Sequence, residues 1–198
     1  MENTRERPGV ILLAAGQSDR MGTPKHLLRF SESQTFIEHI VEVYQRFQVS
    51  KIVIVVNEKA QIFPEMFMNP EGIEIIVNKK IELGRFYSVQ LGLQSINGNC
   101  FIQNIDNPFI NLGLLINLNS ELKDSDYSVP VYNNKGGHPI LISEKIAKRI
   151  VRECDNGSYL NNVLKSFDRK NVLVNDPYIV VNINTADDYQ KYFSGLGD

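Results

Sequence analysis

The 198-residue sequence has no apolar stretch approaching the roughly 18 residues of a membrane-spanning helix. It also lacks an excess of either charge. With a formal net charge of -2 and a pI near 6.0, no global basic field draws it to nucleic acid or to an anionic membrane. Any recognition of phosphate must be local. The polar start, Met1 to Pro8, reads as a flexible tail, and the first apolar run is too short for a secretory leader. Cysteine is scarce: Cys100 and Cys154 form no metal-ligand spacing, and Cys100, at the head of an apolar run, reads as a core thiol. His26, His39 and His138 are scattered without a His-x-x-x-His pair, which argues against a zinc site. No repeat, low-complexity tract or linker divides the chain. The expectation is one soluble domain spanning 1–198, cytoplasmic and by default monomeric.

What is present is alternation. Val10–Leu13 reads as a buried strand, and apolar residues from Phe36 to Phe47 recur at helical spacing. Lys51–Val56 is a continuous β-branched run of the kind found in parallel sheets covered on both faces. Gly72–Val77 and Phe101–Ile105 read as further strands, Gly84–Ile96 and Leu112–Leu122 as helices. Tyr127–Val131 and Pro139–Ile142 read as extended, Glu144–Arg152 and Ser158–Phe167 as helical, and Val172–Val174 and Ile179–Val181 as strands. Thr185 and Asp188 have the spacing of a capping box that opens a last helix near Ala186. Alternating β and α elements predict a three-layer, Rossmann-like α/β sandwich with a mostly parallel sheet.

The densest signal lies in Gly9-Val-Ile-Leu-Leu-Ala-Ala-Gly-Gln-Ser-Asp-Arg-Met-Gly-Thr-Pro-Lys25. An apolar run gives way to tiny residues and then to a loop carrying Ser18, Arg20, Gly22 and Lys25. Small residues let a backbone approach a ligand closely, and two cations beside bare N–H groups suit a polyphosphate. The loop is neither a Walker A motif nor the Gly-x-Gly-x-x-Gly fingerprint. Both it and Asp106 follow directly after a predicted strand, and open parallel sheets bind ligands beyond the carboxyl ends of their strands.

The pattern Leu-x-Ala-Gly-x-Ser-x-Arg-Met-Gly-x-Pro-Lys resembles that of the nucleotidyltransferases that include molybdenum cofactor cytidylyl- and guanylyltransferases, and more distantly the sugar-1-phosphate nucleotidyltransferases. Further segments resemble that family in order: Gly84 to Leu93, Asp106-Asn-Pro108, Gly137-His138-Pro139, Asp155-Asn-Gly157 and Asn182 to Asp188. The resemblance implies a fold of the nucleotide-diphospho-sugar transferase type. It also implies attack by an acceptor phosphate on the α-phosphorus of a nucleoside triphosphate, with release of pyrophosphate. Such a nucleophile is already anionic, so no general base is needed, and charge stabilisation does the catalytic work. Lys25, Arg20 and Asp106 are then the catalytic set. Lys25 faces the α-phosphoryl oxygens, Arg20 the leaving pyrophosphate, and Asp106 a Mg²⁺ ion with Asn182 as a second oxygen ligand. Leu13, Ala14, Ala15, Gly16, Ser18, Gly22, Ser88 and Gly92 would line the nucleotide site. Ala15, where the guanylyltransferase branch carries Gly, favours CTP.

Plainer readings stand beside these. Asp106 before Pro108 suits a turn, Ser88 a helix-face hydroxyl, and His138 a structural turn. Asn182 and Asn184 suit caps on backbone groups at the start of the last helix. Ile105, Asn107 and Ala186 depart from the family pattern and leave the acceptor open. It is expected to be a small phosphorylated molecule, first of all molybdopterin, with a sugar or polyol phosphate as the alternative. A third reading is a non-catalytic nucleotide-binding chaperone of cofactor insertion, and a molybdenum-enzyme maturation factor is a further conceivable partner.

Overall fold

Runs of β-branched residues can be buried on both faces only in the middle of a covered sheet, and that is where they lie. The computed structural model describes residues 7–16, 21–58, 72–123, 125–152 and 159–195. Strands β1 (Gly9–Ala14), β2 (Ile52–Asn57) and β4 (Cys100–Asn104) are buried at every position. β3 (Ile73–Asn78) is the half-exposed edge. β5 (Tyr127–Tyr132), β6 (Lys135–Gly136), β7 (Ile140–Ile142) and β8 (Arg169–Leu173) complete an eight-stranded sheet. Its order is β3-β2-β1-β4-β7-β5-β6, with β8 also paired to β5. β3, β2, β1 and β4 are mutually parallel; β7 enters antiparallel between β4 and β5, and β8 runs parallel to β5.

Alternation along the strands sends side chains to two cores. Val10, Leu12 and Ala14 face α1 (Phe36–Phe47), α3 (Leu112–Glu121) and α6 (Ala186–Phe193). Ile11 and Leu13 face α2 (Gly84–Leu93), α4 (Glu144–Arg152) and α5 (Leu160–Leu164). The result is the expected three layers. Thr35 with Glu38 and Thr185 with Asp188 form complete capping boxes at α1 and α6, each satisfying backbone donors that a helix start leaves open.

The structure departs from the sequence expectation in a few places. Ile179–Val181 is not a strand; Pro177–Val180 forms a 3-10 turn capped by the Asp176 side chain. Pro177 has no N–H to give to a ladder, and the carbonyls of Ile179 and Val181 accept from Asn107 Nδ2 instead. The helix expected over Gly84–Ile96 ends at Leu93, where Ser95 and Ile96 donate to Gly92 and Leu93 in a turn. β8 starts at Arg169, ahead of the apolar residues that marked it, because its polar first half is an exposed edge. The short hairpin β5–β6 carried no strong apolar signal; Asn133 and Asn134 both take positive φ, 46° and 63°, the backbone that a tight mirror-image turn requires. Asp155, Gly157 and Ser158 lie outside the described residues.

Aromatic side chains seat the last helix. Phe193 stacks on Phe109 at 5.5 Å and on Tyr189 at 5.1 Å between ring centres, and Phe30 stacks on His39 at 3.7 Å. Tyr189 Oη donates to the Arg29 carbonyl at 2.9 Å. α6 is thereby tied to the segment just after Lys25.

Candidate active site

Beyond the carboxyl ends of β1 to β4 lies a cleft of about 750 Å³. Its floor is the end of β1, where Leu13, Ala14, Ala15 and Gly16 carry no bulk beyond Leu13, and Gly22 closes the described part of the loop. Ser18 and Arg20 lie outside the described residues. The backbone of the loop is held by Asn57, the last residue of β2, whose Nδ2 donates to the carbonyls of Ala15 and Gly16 at 3.1 Å each. Asn78, the last residue of β3 and 1% exposed, donates to Ser88 Oγ at 2.9 Å and accepts from the Lys80 amide at 2.8 Å. β4 ends in Asn104, which also lines the cleft. Three of the four parallel strands around β1 thus end in an amide that can both donate and accept.

These asparagines were not singled out from the sequence, although a signal existed. Each of the runs Ile-Val-Ile-Val-Val-Asn57, Ile-Glu-Ile-Ile-Val-Asn78 and Cys-Phe-Ile-Gln-Asn104 stops in Asn. Ser88 is more than a helix-face hydroxyl: it is buried in the cleft wall as the partner of Asn78. Gly92 has a different task. It is absent from the cleft, and a Cβ there would come within 2.6 Å of Ile11 Cγ2, so its missing side chain lets α2 lie close on β1.

At the other end, Lys25 heads a 3-10 turn (Lys25–Leu27) that enters from the loop. Its Nζ donates to Asp106 Oδ2 at 3.2 Å and to Asn184 Oδ1 at 2.8 Å. The pair is mostly withdrawn from water, with side-chain exposures of 14% for Lys25 and 26% for Asp106. Asn182, expected as the oxygen ligand, is exposed and outside the cleft lining. Asn184 stands there in its place. The chain is pinned by the Ile183 amide, which donates to the Asp106 carbonyl at 2.7 Å, and Asn184 is aimed by its own amide bond to the capping residue Asp188 at 3.0 Å.

A buried polar network supports the Asp106 turn from behind. Tyr44 Oη donates to Gln103 Oε1 at 3.2 Å, and Gln103 Nε2 donates to the carbonyls of Asn104 and Asn107 at 2.8 Å each. Burial raises the Tyr44 phenol well above its ordinary range, so it stays a hydroxyl donor. Asn107, fully buried, then clamps the 3-10 turn through the Ile179 and Val181 carbonyls. Here is a structural use for a residue that departs from the family pattern.

His138 faces the same region from the next cleft. Burial first, and then the Arg85 cation, lower its imidazole to about 4, with Asp106 opposing the shift. It is therefore neutral at neutral pH, which fits neither a resident proton donor nor a cation. Its backbone N–H donates to the Ile179 carbonyl at 3.0 Å, the structural turn role read from sequence.

The residues present fit a magnesium ion. Asp106 Oδ1 is buried with no hydrogen-bond partner among the described residues, an acceptor for which a cation is the natural complement. Among the described residues no group of three or more His, Cys, Asp or Glu forms a cage. Mg²⁺ needs none, since it takes one or two carboxylates and otherwise water and substrate phosphates.

Small residues at the end of β1 thus face a Lys–Asp pair across the carboxyl ends of parallel strands. A nucleotidyl transferase from Methanothermobacter thermautotroptrophicus has this fold, with a TM-score of 0.79 at 18% identity, covering 96% of this chain and 97% of that one. The family model described as the MobA-like NTP transferase domain matches residues 10–171, and the chain belongs to that family. It is 27% identical over 180 residues to the molybdenum cofactor cytidylyltransferase of Escherichia coli (strain K12), covering 90% of this chain and 92% of the relative. It is 25% identical to a probable molybdenum cofactor guanylyltransferase of Rhodopirellula baltica, covering 90% and 88%. Among the described residues no helix is long and apolar enough to cross a membrane.

Proposed function

We propose that this nucleotidyltransferase moves CMP from CTP to a phosphorylated pterin, the molybdenum cofactor or its precursor, in a Mg²⁺-dependent reaction. The observation that carries the reading is the Lys25–Asp106–Asn184 constellation at the mouth of a cleft floored by Ala14, Ala15 and Gly16. In the reaction an oxygen of the acceptor phosphate bonds to the α-phosphorus as the bond from that phosphorus to the oxygen of the β-phosphate breaks. Pyrophosphate leaves with the electron pair. Lys25 is positioned by two oxygen partners so that its ammonium faces the charge that grows on the α-phosphoryl oxygens. Arg20 is assigned to the leaving group by its place in the loop motif. Asp106 would hold Mg²⁺, which when bound supplies charge neutralisation at the phosphate oxygens.

The choice of CTP is supported by the Ala15 methyl in the cleft wall and by the name of the 27% identical relative. Asn57 fixes the backbone just after that methyl, so the wall does not yield easily to a larger base. The test is thermal stabilisation by CTP or GTP with Mg²⁺, followed by pyrophosphate release with molybdopterin as acceptor. The reading expects the larger shift with CTP, and turnover only when the acceptor is present. A larger shift with GTP overturns the base assignment; CTP binding without turnover overturns the acceptor.

A further inference from the structure

The Asp106 carboxylate sits in a turn that the chain fixes from two directions. From behind, one amide spans the turn: Gln103, fully buried in β4, donates through Nε2 to the carbonyls of Asn104 and Asn107 at 2.8 Å each. Those two residues also close the turn, since the Asn107 N–H donates to the Asn104 carbonyl at 3.3 Å. From the side, a ladder ties the turn to the segment that carries Asn184. Asn107 Nδ2 donates to the Ile179 carbonyl at 3.1 Å and to the Val181 carbonyl at 2.6 Å. The Ile183 N–H donates to the Asp106 carbonyl at 2.7 Å. Alternate residues 179, 181 and 183 are gripped in succession, and the next residue is Asn184, bonded to Lys25 Nζ at 2.8 Å.

The Asn107 side chain supplies two of these three rungs, because a primary amide carries two N–H donors on one nitrogen and can bridge two carbonyls. Asn107 is 0% exposed, and its Oδ1 is buried with no hydrogen-bond partner among the described residues. A buried acceptor left open costs stability, so packing alone would favour an apolar side chain here. What the amide gains is a fixed spacing between two chain segments. Those segments carry the oxygens of the cation site, Asp106 on one and Asn184 on the other.

Resting on the reading of Asp106 as a Mg²⁺ ligand, we propose that Asn107 is a positioning residue that sets the divalent-cation affinity of the cleft. It is absent from the cleft lining and acts through the backbone. With both rungs in place, the Asp106 carboxylate and the Asn184 amide stand at one separation before a cation arrives. Without them the Ile183 bond alone remains of the ladder, and the two oxygens are no longer held within reach of one ion. Groups behind a metal ligand tune affinity in this way, by orienting it.

The test uses Mn²⁺, which takes the same oxygen ligands as Mg²⁺, with binding to the full chain read by water-proton relaxation. Asn107→Leu removes both donors, and Asn107→Ser is too short to bridge two carbonyls. Ser128→Ala removes a buried bond to the Leu118 carbonyl, outside the cleft lining, and is the comparison for lost stability alone. Circular dichroism confirms that each variant is folded, and Asn107→Ser carries the test if the leucine is not accommodated. The expected result is that both Asn107 variants bind Mn²⁺ at least about tenfold more weakly, that Ser128→Ala binds as wild type, and that Asp106→Asn abolishes binding. Wild-type affinity in the folded Asn107 variants overturns the proposal. An equal loss in Ser128→Ala overturns it too, since the effect would then be one of stability. Mn²⁺ binding that survives Asp106→Asn instead overturns the metal reading, so the two failures are distinguishable.

Discussion

The cleft at the strand ends and a second one, between α2, α5 and the β5–β7 strands, share Gly84 and Arg85 yet differ in how their charges are met. In the first, asparagines at the ends of β2 and β3 bond the loop and Ser88, and Lys25 pairs with Asp106, leaving one buried carboxylate oxygen, Asp106 Oδ1, open. The second holds Arg85, Lys165 and Arg169 with no ion pair among the described residues, although Lys165 donates to Asn162 Oδ1, and its buried His138 Nδ1 has no hydrogen-bond partner there. A pre-paired cleft keeps its geometry before ligand arrives, which suits the chemical step. An unpaired one stores attraction for an anion and suits capture. The two sides of Arg85 thus differ in how far their charges are met within the chain.

The sharpest break in that comparison is Lys25→Ala. It should lower turnover about 100- to 1,000-fold while leaving the chain folded, because the lysine packs in neither hydrophobic core. Pyrophosphate release and calorimetry check both halves, and unchanged turnover would remove Lys25 from the chemistry.

A second contrast uses glycines. A Cβ on Gly137, in the second cleft, would sit 2.2 Å from the Ile179 carbonyl oxygen, whereas one on Gly16, in the first, would meet nothing within 4 Å. Gly137→Ala should therefore cost about 3 kcal/mol in chemical denaturation. Gly16→Ala should cost well under about 1 kcal/mol and act instead on nucleotide affinity. Equal stabilities would refute the packing argument.

The smallest effect is pH-dependent. His138 titrates near 4 when folded against an ordinary value of 6.5, so between those values the unfolded chain binds the proton and the folded one does not. Stability must then fall as pH falls from about 6.5 towards 4, by about 1.4 kcal/mol per unit of depression at most. His138→Asn should flatten that part of the stability curve, and an unaltered slope would show that the imidazole is not held neutral.

The sheet was legible because its strands are continuous β-branched runs, and the helices because their apolar residues recur at helical spacing. The floor of the first cleft was legible because Leu13 to Gly16 and Lys25 fall in one contiguous stretch. What stayed hidden was set by partners far along the chain. Asn182 and Asn184 are equivalent in sequence, and only the Ile183–Asp106 and Asn184–Asp188 bonds decide between them. Ile179–Val181 looks like a strand until Asn107 takes its carbonyls. The second cleft joins two segments that match the family pattern, Gly84 to Leu93 and Gly137-His138-Pro139, to Tyr159, Lys165 and Arg169, which carry no local pattern.

The Lys25 ammonium joins Asp106 and Asn184 across sequence separations of 81 and 159 residues. Closing such long loops is the slow part of assembling a chain, whereas the β–α units on either side need only local contacts. The Lys25 site is therefore complete only once segments from both ends of the chain have met. A partly folded chain can own most of its sheet and still have no place for a nucleotide. Ligand binding is in this way coupled to complete folding, and a nucleotide that binds only the finished protein deepens its stability by mass action.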